Sequence, residues 1–317
     1  MKKARENISG RSRTAASAGE GLQGEGVIVA HRGVAVEVLF AGGGRQQVRI
    51  KRRSGHVVGD LVTVAGEVLT RLPRKTELRR RDASGIHLVG ANLDVLGLVV
   101  APLPAPPAGF IDRALVAARA AGLQPFLVVN KSDLEGAEEM VTALRAVYGR
   151  SAPLFPVCAA TGRGFELLEA FLAQGHRGAF VGITGVGKSS LLNALCPEID
   201  LRVGALNDYN DRGRHTTTVA TLHSLAGGGE LIDTPGFQDF GLVDITAQQL
   251  ALHFPGFEET VAGSCRFRDC RHRTEPGCAV AAMVENGEIT VERYETYLEI
   301  LSEVEASEEE NRRREWK

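Results

Sequence analysis

Aromatic side chains are scarce in this 317-residue chain, which holds twelve Phe, four Tyr and a single Trp. Between residues 22 and 82 only Phe40 is aromatic, so recognition of bases by ring stacking has little to work with there. Long apolar runs are missing too. The longest candidate, FIDRALVAARAAGLQPFLVV, is broken by charges and a proline, which argues against a bilayer-spanning helix. The polar, basic beginning carries no apolar segment of the kind a secretory leader needs. Five unevenly spaced cysteines do not make a disulfide scaffold and fit a reducing, cytoplasmic setting. What is present is 44% apolar and 24% charged residues with 37 glycines, the composition of a turn-rich globular protein of two or three domains.

A net charge of −2 hides a strong asymmetry. Residues 1–80 hold sixteen Lys/Arg against seven Asp/Glu, whereas residues 285–317 hold eleven acids against five bases. One end can meet a polyanion and the other cannot. Residues 1–21 read as a mobile basic arm. From Leu22 short apolar runs split by glycine predict three or four strands of a small barrel. Arg45, Arg49, Lys51, Arg52 and Arg53 crowd one part of it, and Arg71, Arg74, Lys75, Arg79, Arg80 and Arg81 follow. These are either a solvated face or a nucleic-acid surface making phosphate and shape contacts.

From Ile86 the texture becomes α/β. DVLGLVVA, FLVVN, PLFPVCA, GAFVGI, TVATLHSLA and GELIDT read as strands, and FIDRALVAARAAG, AEEMVTALRAVYG, GFELLEAFLA and SSLLNALC as helices. Such alternation predicts a mostly parallel sheet covered on both sides. After about residue 245 helices take over around a cysteine-rich insertion, and EASEEENRRREWK reads as a frayed tail.

GITGVGKS, residues 182–189, fits G-x-x-x-x-G-K-[ST] between a strand and a helix, the context this motif requires. Gly182, Gly185 and Gly187 let backbone N–H groups curl around a β-phosphate, with Val186 and Ser190 in the same nucleotide-binding loop. Lys188 reaches the β- and γ-phosphates, and Ser189 is placed to hold Mg²⁺. Downstream, Asp233 ends an apolar strand in GELIDTPGF and can hold the Mg²⁺ shell; Gly236 can offer its N–H to a γ-phosphate. Between them GRHTTT supplies hydroxyls at 216–218, and Thr216 and Thr217 are the switch candidates, Thr217 for Mg²⁺.

FLVVNKSDL, residues 126–134, places an Asn-Lys-x-Asp turn after a strand. Asp133 can accept the N1–H and N2–H₂ donors of guanine, Asn130 can fix the neighbouring loop, and the Lys131 stem can lie along the base plane. The alternative is a surface turn that matches by chance. PVCAAT follows, where the Ala159 N–H can meet guanine O6. The base turn comes before the phosphate loop, the reverse of the usual order, which points to a permuted domain.

In ANLDVLGLVVA, the Asp-Arg of FIDRAL, NKSDL, GVGKSSLLNAL, GRHTTT, DTPGF and the cysteine cluster, the chain resembles the circularly permuted bacterial GTPases that act with the small ribosomal subunit. The resemblance runs from residue 24 to about 300. It implies an arm at 1–21, an oligonucleotide-binding (OB) type barrel at 22–82, a permuted P-loop GTPase domain at 83–247 and a helical zinc-binding domain with an acidic tail at 248–317. It also implies a monomer that hydrolyses GTP, is stimulated by the small subunit, binds its rRNA and serves late maturation. The second base loop of that family reads Ser-Ala; Cys158 stands in place of the serine, at the cost of a hydroxyl.

Phe237 follows DTPG, where many GTPases keep a water-positioning glutamine, and a phenyl ring cannot orient water. His215 is the nearest substitute and the one the resemblance suggests; otherwise it only packs or caps the loop. Gln238 is a competitor one position late. Finally, Cys265, Cys270, His272 and Cys278 read C-x₄-C-x-H-x₅-C, a set that fits a closed, structural tetrahedral zinc site. Arg266, Arg268, Arg271 and Arg273 alternate with these ligands as a second cationic surface. Two rival readings stand beside the GTPase: an ATP-using P-loop enzyme, disfavoured by NKSD, and an RNA-binding assembly protein with a non-catalytic guanine site.

Overall fold

The computed structural model describes residues 22–82, 85–197, 220–233, 242–243, 245–257 and 264–315. The apolar residues of its central strands alternate between two faces. Along β8 (Val95–Val100), Leu96, Leu98 and Val100 join one core, and Val95 and Val99 the other. In β9 (Gln124–Val129), Leu127 and Val129 oppose Phe126 and Val128; in β11 (Arg177–Val181), Ala179 and Val181 oppose Phe180. Strands buried on both faces need cover on both. Helices α1 (Phe110–Ala120) and α2 (Ala137–Tyr148) cover the first face, and α3 (Phe165–Leu172) and α4 (Lys188–Leu195) the second.

Five strands run parallel in the order β10 (Leu154–Pro156), β9, β8, β11, β13 (Glu230–Asp233), and β12 (Thr221–Ser224) adds antiparallel to β13. From β8 the chain steps outward through α1 and α2 to β10, then crosses through α3 to β11 on the other side of β8. The topological switch point therefore lies between β8 and β11, where open parallel sheets bind ligands at their carboxyl ends.

The N-terminal unit has one strand more than expected. β1 (Gly24–His31), β2 (Ala35–Phe40), β3 (Arg45–Arg49), β4 (Leu61–Ala65) and β5 (Val68–Arg71) pair antiparallel in the spatial order β3-β2-β1-β4-β5. The extra strand, VLTR, exists because Gly66 and Glu67 turn the chain in two residues between the paired Ala65 and Val68. Ile28, Val36, Val38, Val62 and Val64 form its separate core, and Phe40 is buried in it rather than offered to a base. Among the described residues no pair joins β3 to β5, so the strand pairs amount to an antiparallel sheet without the closure of a barrel. β1 also meets β12 at Ala30 and Thr221, which ties this sheet to the parallel one. A hairpin, β6 (Glu77–Asp82) and β7 (Gly85–Ala91), connects the two units.

Helices α5 (Ala247–His253), α6 (Ala279–Glu285) and α7 (Val291–Glu315) enclose a third core of Leu250, Phe254, Phe257, Val280, Tyr297 and Leu301, to which α1 contributes Val116. The expected frayed tail is instead, as far as Glu315, the last part of α7. Val304 is buried, Glu308 accepts the backbone N–H of Ala247 at 3.0 Å, and Glu309 pairs with Arg313 one turn later. Charge-rich composition alone suggested disorder; the tertiary contact of Glu308 and the i,i+4 pairing favour helix. No described helix is long and apolar enough to cross a membrane.

Candidate active site and candidate metal centre

The strand registers deliver the predicted motifs to one sheet edge. Val100 pairs with Val129, and Val129 with Pro156, so Ala101, Asn130 and Val157 leave β8, β9 and β10 at one level. Gly182 leaves β11 beside them, and the Ala179–Ile232 pair sets Asp233 one strand from the start of the phosphate loop. Gly182 and Gly187 in that loop both have positive φ. A Cβ would sit 2.3 Å from the Val99 carbonyl oxygen at Gly182, and 2.4 Å from the Asn130 amide nitrogen at Gly187. Only glycine permits both that curl and those approaches. α4 begins directly after Gly187, so its first N–H groups and dipole face the loop.

Asn130 joins the three nucleotide motifs. It is 2% exposed; its Nδ2 donates to the Val186 carbonyl at 2.8 Å, and its Oδ1 accepts the Ala159 N–H at 3.0 Å. A chance surface turn would have no reason to bury its Asn between two other loops. The Ala159 N–H, read as the O6 donor, is thus committed to Asn130 here. Cys158 behaves differently from expectation as well. Its thiol donates to Asp133 Oδ1 at 3.0 Å, so sulfur replaces the hydroxyl whose loss the Ser-to-Cys difference implied. That bond, with a backbone N–H at Asp133, holds the Asp133 carboxyl below its ordinary pKa, keeping it an anion able to accept two donors. Lys131, at φ 57°, donates to the Leu103 carbonyl at 2.7 Å.

Lys188 is folded onto its own loop, donating to the Gly182 and Ile183 carbonyls at 2.6 and 3.0 Å. Burial lowers its pKa from the ordinary lysine value and raises that of Asp233. Both are half-desolvated charges, and an anion beside Lys188 or a cation beside Asp233 would reverse the respective shift. Ser189 is exposed at the first turn of α4 and Ser190 half-buried beside it. His215, Thr216, Thr217 and Gly236, with Phe237 and Gln238, lie outside the described residues.

Residues 71–243 match the RsgA GTPase family, just over half of the chain. The chain belongs to the RsgA GTPase family. Its activity is accordingly GTP hydrolysis. It is 42% identical to the "Small ribosomal subunit biogenesis GTPase RsgA" of Pseudomonas fluorescens, over 94% of this chain and 92% of that one. To the protein of the same name from Azotobacter vinelandii it is 43% identical, over 89% and 86%. Among solved structures it is similar to YjeQ from Thermotoga maritima (TM-score 0.73, 32% identity, 89% of this chain and 99% of that one). It is also similar to YloQ, described as a circularly permuted GTPase (TM-score 0.67, 27% identity, 92% and 99%). The early position of NKSD is therefore a permutation and not a coincidence.

Beyond its matched segment, this RsgA-family chain brings Cys265, Cys270, His272 and Cys278 together. Their ligand atoms all lie within 4.8 Å of one another. His272 Nδ1 is 3.5, 3.5 and 3.4 Å from the sulfurs of Cys265, Cys270 and Cys278. Zinc–ligand bonds of ordinary length in a tetrahedron would space sulfur and nitrogen by about 3.6 Å, so the three nitrogen–sulfur distances and the chemistry of the donor set fit a four-coordinate metal. Cys265 and Cys278 also accept the Ala279 and Ala281 N–H groups at 3.4 Å, which mounts the cluster on α6. Glu275 braces the loop by accepting the Arg271, Arg273 and Thr274 N–H groups at 2.9, 2.8 and 3.1 Å. Burial alone would raise its pKa, but these backbone donors hold it near 2. The four arginines of the loop are not equivalent. Arg271 and Arg273 pair with Glu305 of α7 at 2.6 and 2.8 Å, whereas Arg266 lies over the Phe267 ring.

Sequence reasoning missed a buried junction. Asp112 of α1 accepts from Tyr148 of α2 at 2.8 Å and from Arg293 of α7 at 3.3 Å. The Asp-Arg of FIDRAL carries the family resemblance, but its partner is 181 residues away and no local pattern reveals it.

Proposed function

We propose that this chain hydrolyses GTP to GDP and phosphate in a cycle stimulated by the small ribosomal subunit, and that it acts late in the maturation of that subunit through nucleotide-dependent binding to rRNA. The observation that carries the nucleotide assignment is the pair of hydrogen bonds by which Asn130 donates to the Val186 carbonyl and accepts from the Ala159 N–H, which fastens a guanine-reading turn to a phosphate loop. The names of the two RsgA relatives, as small ribosomal subunit biogenesis GTPases, support the ribosomal partner.

In this reading Asp133 accepts the guanine N1–H and N2–H₂, and the loop from Gly182 to Ser190 wraps the phosphates with its N–H groups. Lys188 leaves the Gly182 and Ile183 carbonyls for the β- and γ-phosphate oxygens, an exchange of two neutral acceptors for anionic ones. Ser189, Thr217 and Asp233 would hold Mg²⁺, which neutralises phosphate charge when bound. Gly236 meets the γ-phosphate and His215 positions the attacking water. The strands from residue 22 to 82 serve as an OB-type surface for rRNA. Residues 83–247 are the GTPase domain, and residues 248–317 a domain held together by structural zinc on Cys265, Cys270, His272 and Cys278. The whole acts in the cytoplasm.

The test is GTP turnover by the purified chain alone, with small subunits, and with large subunits or ATP as controls. Stimulation by small subunits alone is expected. Slow GTP turnover that no particle changes would remove the ribosomal partner. GTP binding without turnover under any condition would favour a static guanine site in an RNA-binding protein.

A further inference from the structure

The loop between β8 and α1, residues 101–109, is written APLPAPPAG and belongs to none of the nucleotide motifs. It nevertheless touches two of them. The Leu103 carbonyl accepts the Lys131 ammonium at 2.7 Å, and the Pro104 ring lies 3.4–3.5 Å from where a Cβ of Gly185 would stand. Lys131 needs such a hold, because it is a non-glycine residue at φ 57°, a backbone state that costs free energy unless its surroundings impose it. The strands enforce the same juxtaposition: the Asn130 N–H donates to the Val100 carbonyl at 2.9 Å, so the base turn starts where this loop leaves the sheet. Four prolines in six residues, Pro102, Pro104, Pro106 and Pro107, limit how far the loop can move.

We propose that Pro104 is a positioning residue of the nucleotide site, through which the β8–α1 loop holds the Lys131 side chain against the guanine side of the pocket and backs the phosphate loop at Gly185. This rests on the guanine-nucleotide reading of the site and adds a fourth wall to it. The Leu103 carbonyl fixes the ammonium at one end, so the aliphatic stem of Lys131 is pre-set for a base to lie along it. The loop contributes to binding before any chemistry and equally for GTP and GDP, so it acts on affinity and not on the hydrolytic step.

The experiment uses the full chain with fluorescent GDP and with GTP, comparing Pro104→Ala, Ala105→Gly, Lys131→Ala and Pro104→Ala/Lys131→Ala. Ala105 is exposed, so its glycine variant loosens the loop without removing a packed atom and stands in if Pro104→Ala fails to fold. Expected are a Kd raised roughly three- to tenfold for both nucleotides in Pro104→Ala, a smaller rise in Ala105→Gly, and kcat at saturating GTP unchanged. The double variant should lose less affinity than the product of the two single losses, because only the Gly185 part of the Pro104 effect remains once Lys131 is gone. Unchanged Kd in both loop variants, or a double variant whose loss is the product of the two single losses, would overturn the proposal alone. Failure of the unaltered chain to bind either nucleotide would overturn the site reading as well.

Discussion

Asn130 and Cys158 show how much one side chain can carry. Asn130 satisfies one donor and one acceptor in two different loops while almost fully buried. Truncation leaves the Val186 carbonyl and the Ala159 N–H without partners, a loss of about 1–3 kcal/mol. Asn130→Ala should therefore weaken GTP and GDP binding by roughly ten- to a hundredfold, measured by equilibrium titration, with both nucleotides affected alike. Cys158 is a gentler case, since its partner Asp133 is fully exposed. Cys158→Ala should raise the GTP Kd a few-fold and Cys158→Ser should restore it, because either a thiol or a hydroxyl can donate to the carboxylate. Equal affinities across the three proteins would reduce the 3.0 Å contact to packing.

At the scale of elements, the segment from Cys265 to Cys278 is short and rich in charge, so its shape depends on ligands and braces more than on burial. Stripping metal with a strong chelator should remove amide-exchange protection from α6 and the cysteine loop while β8 and β9, buried on both faces, keep theirs. The long helix α7 has a second role here. Glu305 occupies Arg271 and Arg273 and so withholds two cations from any polyanion. These ion pairs are partly exposed and individually weak. Glu305→Gln should strengthen binding of an RNA probe at low salt only about two- to fivefold, read by anisotropy; unchanged affinity would mean that this edge of the loop does not face RNA.

Across the whole molecule, α1 belongs to two cores at once. Ala114, Leu115 and Ala118 pack on the parallel sheet, while Val116 faces the C-terminal core and Asp112 meets Arg293. Arg293 also lies over the Tyr148 and Phe254 rings at 4.9 and 5.8 Å, so one side chain joins the two units. Removing one partner of such a buried pair costs about 3–5 kcal/mol, and Arg293→Ala should lower the thermal midpoint accordingly. The sign of its pH dependence follows from Asp112, whose pKa is raised by burial even with Arg293 and Tyr148 beside it. Without the guanidinium it rises further. A carboxyl with a raised folded pKa contributes stability below its unfolded value that is lost as pH rises through the folded one. The deficit of Arg293→Ala should thus be smaller at pH 5 than at pH 8, and Asp112→Asn in the same chain should shrink it at pH 8.

Local chemistry determined the motifs and most elements of this protein. Strand alternation, the glycines of the phosphate loop, NKSD and the spacing of the Cys265, Cys270, His272 and Cys278 cluster each depend on residues close together in the chain, and each was legible there. The fifth N-terminal strand and the helical end of α7 were not, because a two-residue turn and a distant Glu308–Ala247 contact outweighed local composition. The tertiary structure alone decided that Asn130 would bridge two loops, that Cys158 would reach Asp133, that a proline loop would hold Lys131, and that α1 would join two cores. All of these are contacts between segments 25 to 181 residues apart, set by sheet register and helix packing, which no short stretch of sequence encodes.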